Sequence, residues 1–451
     1  MADRKIKISR TFGKKGIQPP EMKITSGIAI KDLPLPRRVE ISLSQSIGKP
    51  AKAVVAVGDH VSRYELIGEA QGAISANVHT PISGTVKSIG KIATSDGHGA
   101  EGIVIEASEA DHIADLQNIS DAYPAMRPDV EAFTGEEILE KIRRAGIVGL
   151  GGATFPTATK LSPPAGSPKC EYLLINGAEC EPYLTCDEAI MREMASEIVA
   201  GIKLMLRVLG DEVRCIIGIE ENKDVAYLAM SQITRQEPRI RVREMRTRYP
   251  QGGEKMLTKT LTGREIAPGA LPISEGVIIQ NVATALAVYH AVVWDIPLVE
   301  RVVTISGTDY KNRGNYRVPI GTPLKDIIAQ IGDVPDTTVK IVSGGTMMGH
   351  AIADIQGSTT KGMSGLLLLN ADEAPRHETT PCVRCGRCVQ VCPMGLEPYL
   401  LARLSELGRK EEVKARHVAD CMECGCCSYS CMAHRPLVEW IKVGKALARR
   451  K

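Results

Sequence analysis

Apolar positions change period along the chain, and the changes mark its organisation. Between residues 30 and 110 they come in short runs broken by glycine and proline. Val54–Val57 precedes the turn Gly58-Asp59, Leu66-Ile67-Gly68 follows, and then Val78 through Val86. Short strands with frequent turns predict a small barrel or sandwich. Residues 111–133 are polar, contain Pro124 and Pro128, and read as a linker. Thr134-Gly-Glu-Glu137 matches a capping box. Ile138, Leu139, Ile142 and Ala145 follow at helical spacing, and Gly146 is placed to end that helix. From 171 to about 295, Tyr172–Ile175, Val213–Ile219 and Arg239–Glu244 read as strands, and Glu188–Leu209 has helical period. Strands alternating with helices predict a mostly parallel sheet. A smaller α/β unit opens with Val302–Ile305 and closes with Leu366–Leu369. Beyond it, Leu400–Val418 looks helical, and the tail from Leu437 to Lys451 is basic and amphipathic. Its stripe of Leu437, Trp440, Ile441 and Leu447 fits a partner or membrane surface, and equally fits packing onto its own domain.

Composition narrows the function classes. A chain of 451 residues allows roughly three domains. Its formal net charge of +3 is too balanced for an electrostatic nucleic-acid binder, and 3 Phe, 11 Tyr and 2 Trp leave few stacking platforms. The longest apolar stretch, Val282–Trp294, is broken by His290 and falls short of the about 20 residues a membrane span needs. The first residues lack the apolar core of a signal peptide. The informative count is 13 cysteines, nine of them between Cys382 and Cys431. The others are Cys170, Cys180, Cys186 and Cys215. Clustering of this kind predicts metal in a reducing compartment, not a disulfide scaffold.

The clustered cysteines form two runs in matching register. Cys382, Cys385, Cys388 and Cys392-Pro393 make the first; Cys421, Cys424, Cys427 and Cys431 make the second, 39 residues on. This is the spacing of bacterial two-cluster ferredoxins, in which three thiolates of one loop hold a cubane and the fourth serves the other cluster. Cys382, Cys385, Cys388 and Cys431 are therefore expected to hold one [4Fe–4S] cluster, and Cys421, Cys424, Cys427 and Cys392 the second. Two four-cysteine zinc sites are the alternative, but zinc ribbons present paired CxxC knuckles without a third cysteine at the next step. Met432 stands where proline is expected, and Cys426 is an extra thiol inside the second run.

Three further patches read weakly when taken singly. Gly146–Lys160, GIVGLGGATFPTATK, places glycines between two helices. It reads either as a backbone cradle for an anion or a flat cofactor or as a flexible turn. It is not a Rossmann fingerprint, because position 154 is threonine. Asn176-Gly177-Ala178-Glu179-Cys180-Glu181-Pro182 follows a strand end; such acidic groups accept hydrogen bonds from ribose hydroxyls or amides, or simply face solvent. Tyr249–Lys255 is a third glycine patch, a turn by itself.

Together and in this order the patches resemble the flavin-bearing, NADH-oxidising subunit of respiratory complex I. The chain as a whole resembles the RnfC family, the electron-input subunits of Rnf ion-translocating ferredoxin:NAD oxidoreductases. The opening Thr11-Phe12 through Gly16-Ile17-Gln18-Pro19-Pro20, GLGGATFPT, NGAECEPYLTCD, the loop Ser343–Gly349 and both cysteine runs carry the likeness. Lys14, Gln18 and Thr346 depart from its usual glycine, histidine and proline, and Leu161-Ser162-Pro163 replaces an aromatic found in complex I proteins. The stretch 30–110 also resembles biotinyl/lipoyl hairpin domains, but its tip Gly72–Asn77 has no lysine to modify, so a structural or docking role is expected.

The resemblance implies a multidomain α/β chain. It would comprise a β-rich barrel-sandwich hybrid domain over 1–110, a linker over 111–133, an α/β FMN/NADH domain of complex I type over 134–298, a β-grasp domain over 299–372, and a helical ferredoxin-like two-cluster domain over 373–451. FMN, held noncovalently, would lie against Gly149, Gly151 and Gly152 and contact Lys160 and Asn176, with Glu179, Gly253, Asn281 and Thr284 completing the site. NADH would stack near Phe155, with Glu181 and Glu254 on its polar groups. A nicotinamide gives two electrons as hydride and a cluster takes one; a flavin does both, and no side-chain acid or base is required. No serine triad, paired-carboxylate or HExxH motif is present. Implied partners are the membrane and peripheral subunits of the Rnf complex, including a ferredoxin-like electron-transfer subunit. The implied place is the cytoplasmic face of the bacterial inner membrane, peripherally bound. Two rivals stand beside this expectation: a soluble cobalamin reductase, whose domain order differs, and a flavin-free module that wires clusters between partners.

Overall fold

The computed structural model of the chain describes residues 10–119 and 130–449. Four packed units follow one another. The first builds two small antiparallel sheets from Arg38–Ser42, Lys52–Ala53, His60–Val61, Leu66–Glu69, Val78–His79, Gly84–Ala93 and Gly99–Glu106. Inward-facing Val39, Ile41, Ile67, Ile82, Ile103 and Ile105 form its core. Val54–Val57 is not a strand. Pairing stops at Ala53, the Asp59 carboxylate accepts from the Ala56 N–H at 2.8 Å, and Val57 is exposed. The local side-chain bond turns the chain before a ladder can extend.

The stretch expected to be linker from 111 instead opens with a helix, Glu109–Ile119. Ser108 caps it, and Asp115 docks it by accepting from the Ser83 N–H at 2.6 Å and hydroxyl at 2.7 Å. Its attachment is polar, so no apolar period announced it. Pro124 and Pro128 lie outside the described residues.

The second unit is the parallel sheet. Its strands lie in the order Ile240–Met245, Arg214–Glu220, Tyr172–Gly177, Val277–Asn281, all parallel. The helix Gly135–Arg144 begins with both bonds of the Thr134/Glu137 capping box and buries Ile138 and Ile142. The single helix expected over 188–209 is two, Cys186–Glu193 and Ala195–Leu209, broken at Met194. The long apolar run became the helix Val282–Val293, every residue of which is buried against the sheet. It is a core helix: burial of each large side chain contributes about 1.5–3 kcal/mol. No described helix is long and apolar enough to cross a membrane.

The third unit is a six-stranded sheet with Glu300–Ser306, Gly314–Pro319, Lys340–Ser343, His350–Ile352 and Gly365–Leu369. Its edge strand is Ile30–Asp32, paired parallel to Gly314–Pro319. That segment was expected in the first unit. Residues 10–30 instead form a strap that crosses the second unit on the way to the third.

In the fourth unit, helices Pro398–Glu406, Lys410–Ala415 and Leu437–Arg449 surround the cysteine loops. The terminal stripe packs inward: Leu437 and Ile441 are buried with Leu401 and Val413, and Trp440 is partly buried there, so it is not a free docking face. The duplication is visible in the backbone. Arg384 and Glu423, Gly386 and Gly425, and Gly395 and His434 all have positive φ, each pair at the 39-residue offset of the cysteines.

Candidate functional site

Strand order creates the site. The chain runs from Tyr172–Gly177 outward to one edge, then returns to place Val277–Asn281 on the other side. Ligands of such sheets bind beyond the carboxyl ends of the strands, where the order reverses. The two strands flanking that point end in register, Asn176 beside Asn281.

The glycine loop arches over this point. Gly149 N–H donates to the Phe155 carbonyl at 2.8 Å and Thr157 N–H to Ile147 at 2.9 Å. Gly151 and Gly152 are left exposed at its tip. Gly146 turns the chain into the loop at φ +64°, and a Cβ there would lie 2.2 Å from the Asn77 carbonyl. Leu150 N–H donates to the Thr284 hydroxyl at 2.9 Å. A Cβ on Gly151 would stand 3.3 Å from that of Asn281, so backbone and amide face each other directly.

All three patches meet here. Lys160 pairs with Glu254 at 2.5 Å, joining the first to the third. Asn176 Nδ2 donates to the Gly252 carbonyl at 3.0 Å, joining the second to the third. Gly253 lies in the same turn, and a Cβ on it would stand 2.5 Å from the terminal carbon of Met422, beside Cys421. Phe155 is half-buried in the loop. The arrangement is an open cleft lined by bare backbone with a lysine–glutamate pair at one side. Its residues fit a flat, anionic cofactor.

Two acidic residues of the second patch are engaged elsewhere. Glu179, at φ +45°, caps the helix Cys186–Glu193 by accepting from Asp187 N–H at 2.7 Å and Glu188 N–H at 3.2 Å. Glu181 accepts from Met347 N–H at 2.9 Å and faces the Tyr249 hydroxyl at 3.4 Å. Burial, partly offset by those donors, pushes its carboxyl up to about 6. The loop 343–349 is thus latched onto the parallel-sheet unit. Lys23, from the strap, donates to the carbonyls of Glu179, Glu181 and Leu184 at 2.7, 2.8 and 2.5 Å. It went unnoticed in the sequence because its partners lie over 150 residues away.

The cysteines fall into two neighbourhoods. Cys388 is influenced by Cys431 and Cys382. Cys392 is influenced by Cys424, and Cys421 and Cys427 by both Cys424 and Cys392. Each run therefore delivers its last cysteine to the other, as the spacing implied. Cys385 shares an exposed loop with Cys382. The Cys421 set abuts the cleft side, because Cys424 and Cys426 pack with Ile17 and Tyr249, and Met422 packs against them. Cys426 is fully buried and its thiol hydrogen-bonds to that of Cys424. Four soft thiolates per neighbourhood suit iron–sulfur ligation.

Four family models match the chain. They are the RnfC barrel sandwich hybrid domain over 11–110, the Nuo51 FMN-binding domain over 142–290, the SLBB domain over 302–351 and a 4Fe-4S dicluster domain over 374–432. The chain is 39% identical over 433 residues to the RnfC-type subunit of the proton-translocating ferredoxin:NAD(+) oxidoreductase complex of Clostridium ljungdahlii, covering 96% of this chain and 93% of that protein. It is 41% identical over 390 residues to the corresponding subunit of the ion-translocating oxidoreductase complex of Rhodobacter capsulatus, covering 86% and 73%. To the corresponding subunit of the Na(+)-translocating ferredoxin:NAD(+) oxidoreductase complex of Acetobacterium woodii it is 37% identical over 441 residues, covering 96% of each. A solved chain of an NAD+-reducing [NiFe]-hydrogenase aligns over 77% of this chain at 16% identity, with a TM-score of 0.48.

Proposed function

We infer the function from one premise: the chain belongs to the RnfC family of subunits of Rnf-type ion-translocating oxidoreductase complexes. It is a ferredoxin:NAD oxidoreductase subunit that uses FMN and two [4Fe–4S] clusters, with NAD(H) as substrate. Of the two rivals, the flavin-free wiring module leaves the FMN-binding domain without a role, and the cobalamin reductase leaves the N-terminal hybrid domain without one.

When bound, FMN exchanges hydride with the nicotinamide and single electrons with the clusters. The chain's residues set where this happens. Gly149, Gly151 and Gly152 offer bare backbone to the ring. Asn176, Asn281 and Thr284 fix that backbone from the strand ends, and Lys160 supplies a cation at the cleft edge. Gly253 belongs to the same wall. Phe155 and Glu254 at the mouth receive the nicotinamide nucleotide. Glu179 serves the site indirectly, as the cap of the helix Cys186–Glu193. Glu181 does not bind the nucleotide in this reading, because its carboxylate already holds the loop 343–349. The Cys392/Cys421/Cys424/Cys427 set faces the cleft, and the Cys382/Cys385/Cys388/Cys431 set faces the solvent-exposed side. The order matches electrons entering at the cleft and leaving at the exposed loop toward a ferredoxin-like partner. We place the protein peripherally on the cytoplasmic face of the membrane, docked to the other subunits of the complex.

The observation that carries the reading is the convergence of three distant patches on one cleft, with Gly253 of that cleft against Met422 of a cluster loop. Anaerobic reconstitution of the purified chain with FMN, followed by titration with NADH, tests it. Bound flavin bleached by NADH supports the reading, and failure to bind FMN defeats it.

A further inference from the structure

The tip of the glycine loop is held from behind by charges that no motif marks. Leu150 has its N–H on the Thr284 hydroxyl, and its carbonyl accepts from Arg301 Nη1 at 3.2 Å. Arg301 is buried and belongs to the strand Glu300–Ser306, in the six-stranded sheet, not in the unit that carries the loop. Asn281, against which Gly151 packs, is locked at both ends of its amide. Its oxygen accepts from Ala283 N–H at 2.8 Å, and its nitrogen donates to Asp187 Oδ2 at 2.7 Å. Asp187 and Arg301 feel each other's charge without touching. Ligand atoms of Glu179, Cys186 and Asp187 lie within 4.8 Å of one another, which resembles a cation site. The Arg301 guanidinium already supplies the positive charge there.

We propose that Arg301 and Asp187 are positioning residues of the flavin cleft, a buried charge pair through which the β-grasp unit braces Leu150, Gly151 and Asn281. The proposal rests on the flavin reading above. A loop rich in glycine pays a large ordering cost on binding a ligand. Two buried ionic anchors, one on each side of the tip, remove much of that cost beforehand. They also give the β-grasp unit a task without a ligand of its own. A charge left alone in the interior is strongly destabilising, whereas removing both partners is tolerated. The pair is therefore expected to behave non-additively.

The test compares full-length, cluster-loaded Arg301→Met, Asp187→Asn, the double variant, and Val303→Ala as a control. Val303 is buried in the same strand and packs into the β-grasp core, away from the loop. Two quantities are read: FMN affinity of flavin-stripped protein, and hydrogen exchange at residues 148–152 in that protein. Arg301→Met is expected to weaken FMN at least tenfold and to speed exchange of the Leu150 amide. The double variant should be no worse than Arg301→Met. Val303→Ala should lower the melting temperature with FMN affinity unchanged. Should Arg301→Met fail to fold, Arg301→Lys, which keeps the charge but not the fork, should fold and show the same loosened loop. Wild-type affinity and wild-type exchange in the arginine variants would overturn the proposal, as would equal FMN loss in Val303→Ala. A wild-type chain that binds no FMN would sink the flavin reading instead, and the exchange measurement would still decide the brace.

Discussion

Replacing Gly151 with leucine separates the flavin cleft from everything else in the molecule. Gly151 is exposed at the loop tip, and the nearest atoms to a new Cβ are those of Asn281, at 3.3 to 3.6 Å. A β-carbon at that distance needs a shift of a few tenths of an ångström, and the rest of the side chain projects into the open cleft. Folding stability should therefore change by no more than about 0.5 kcal/mol, as for other exposed substitutions. Flavin binding should suffer far more, because the leucine occupies the space where the ring meets backbone. A loss of about 3 kcal/mol corresponds to a little over a hundredfold in Kd. Fluorescence titration of FMN into flavin-stripped protein measures the affinity, thermal unfolding measures the fold, and iron analysis checks the clusters. Near-native FMN affinity in a folded Gly151→Leu variant would mean that the flavin lies elsewhere.

Cys385→Ser is expected to lose one cluster, four of about eight irons per chain, while Cys426→Ser keeps both; cluster loss in the Cys426 variant would show that Cys426, not Cys427, is the ligand. Glu181→Ala leaves Met347 N–H without its acceptor and should cost about 1–3 kcal/mol. Gly345→Ala would set a Cβ 2.2 Å from Glu181 Oε2, so it should be more damaging in the wild-type background than beside Glu181→Ala; equal damage in both denaturation series would refute the latch. Burial, aided by the charges of Lys361 and Arg144, pushes His79 down to about 3. The unfolded chain protonates this histidine near 6.5 and the folded one does not, so its share of stability is complete above 6.5 and declines as pH falls toward 3. Between about pH 7 and 5 the loss should reach about 2 kcal/mol, and His79→Gln should flatten that slope; an unchanged slope would refute the assignment.

What could be read from the sequence was local. Each cysteine run carries three of its ligands within seven residues, and the repeat brings along its own backbone turns at Arg384/Glu423 and Gly386/Gly425. The Thr134/Glu137 cap formed as written because both partners lie within one helical turn. The flavin patches were individually ambiguous, since what distinguishes a cradle from a turn is Asn176 reaching Gly252 and Lys160 reaching Glu254, contacts that only the parallel sheet creates. The failures were tertiary in the same sense. Ile30–Asp32 joins a sheet whose next strand begins at Gly314, and Arg301 reaches Leu150 across two units. Glu181 looked available because its donors lie far along the chain. The apolar stripe at Leu437 has the same pattern whether it faces a partner or Leu401, and packing decided it.

The central claim is that one cleft accepts hydride equivalents and feeds two clusters within this chain. An anaerobic visible spectrum of the FMN- and iron-reconstituted protein, recorded before and after a single equivalent of NADH, tests it most directly. The account predicts loss of flavin absorbance together with partial bleaching of the broad iron–sulfur absorbance, and neither change in a Gly151→Leu sample. Flavin and cluster absorbance both unmoved by NADH in fully loaded wild-type protein would contradict it.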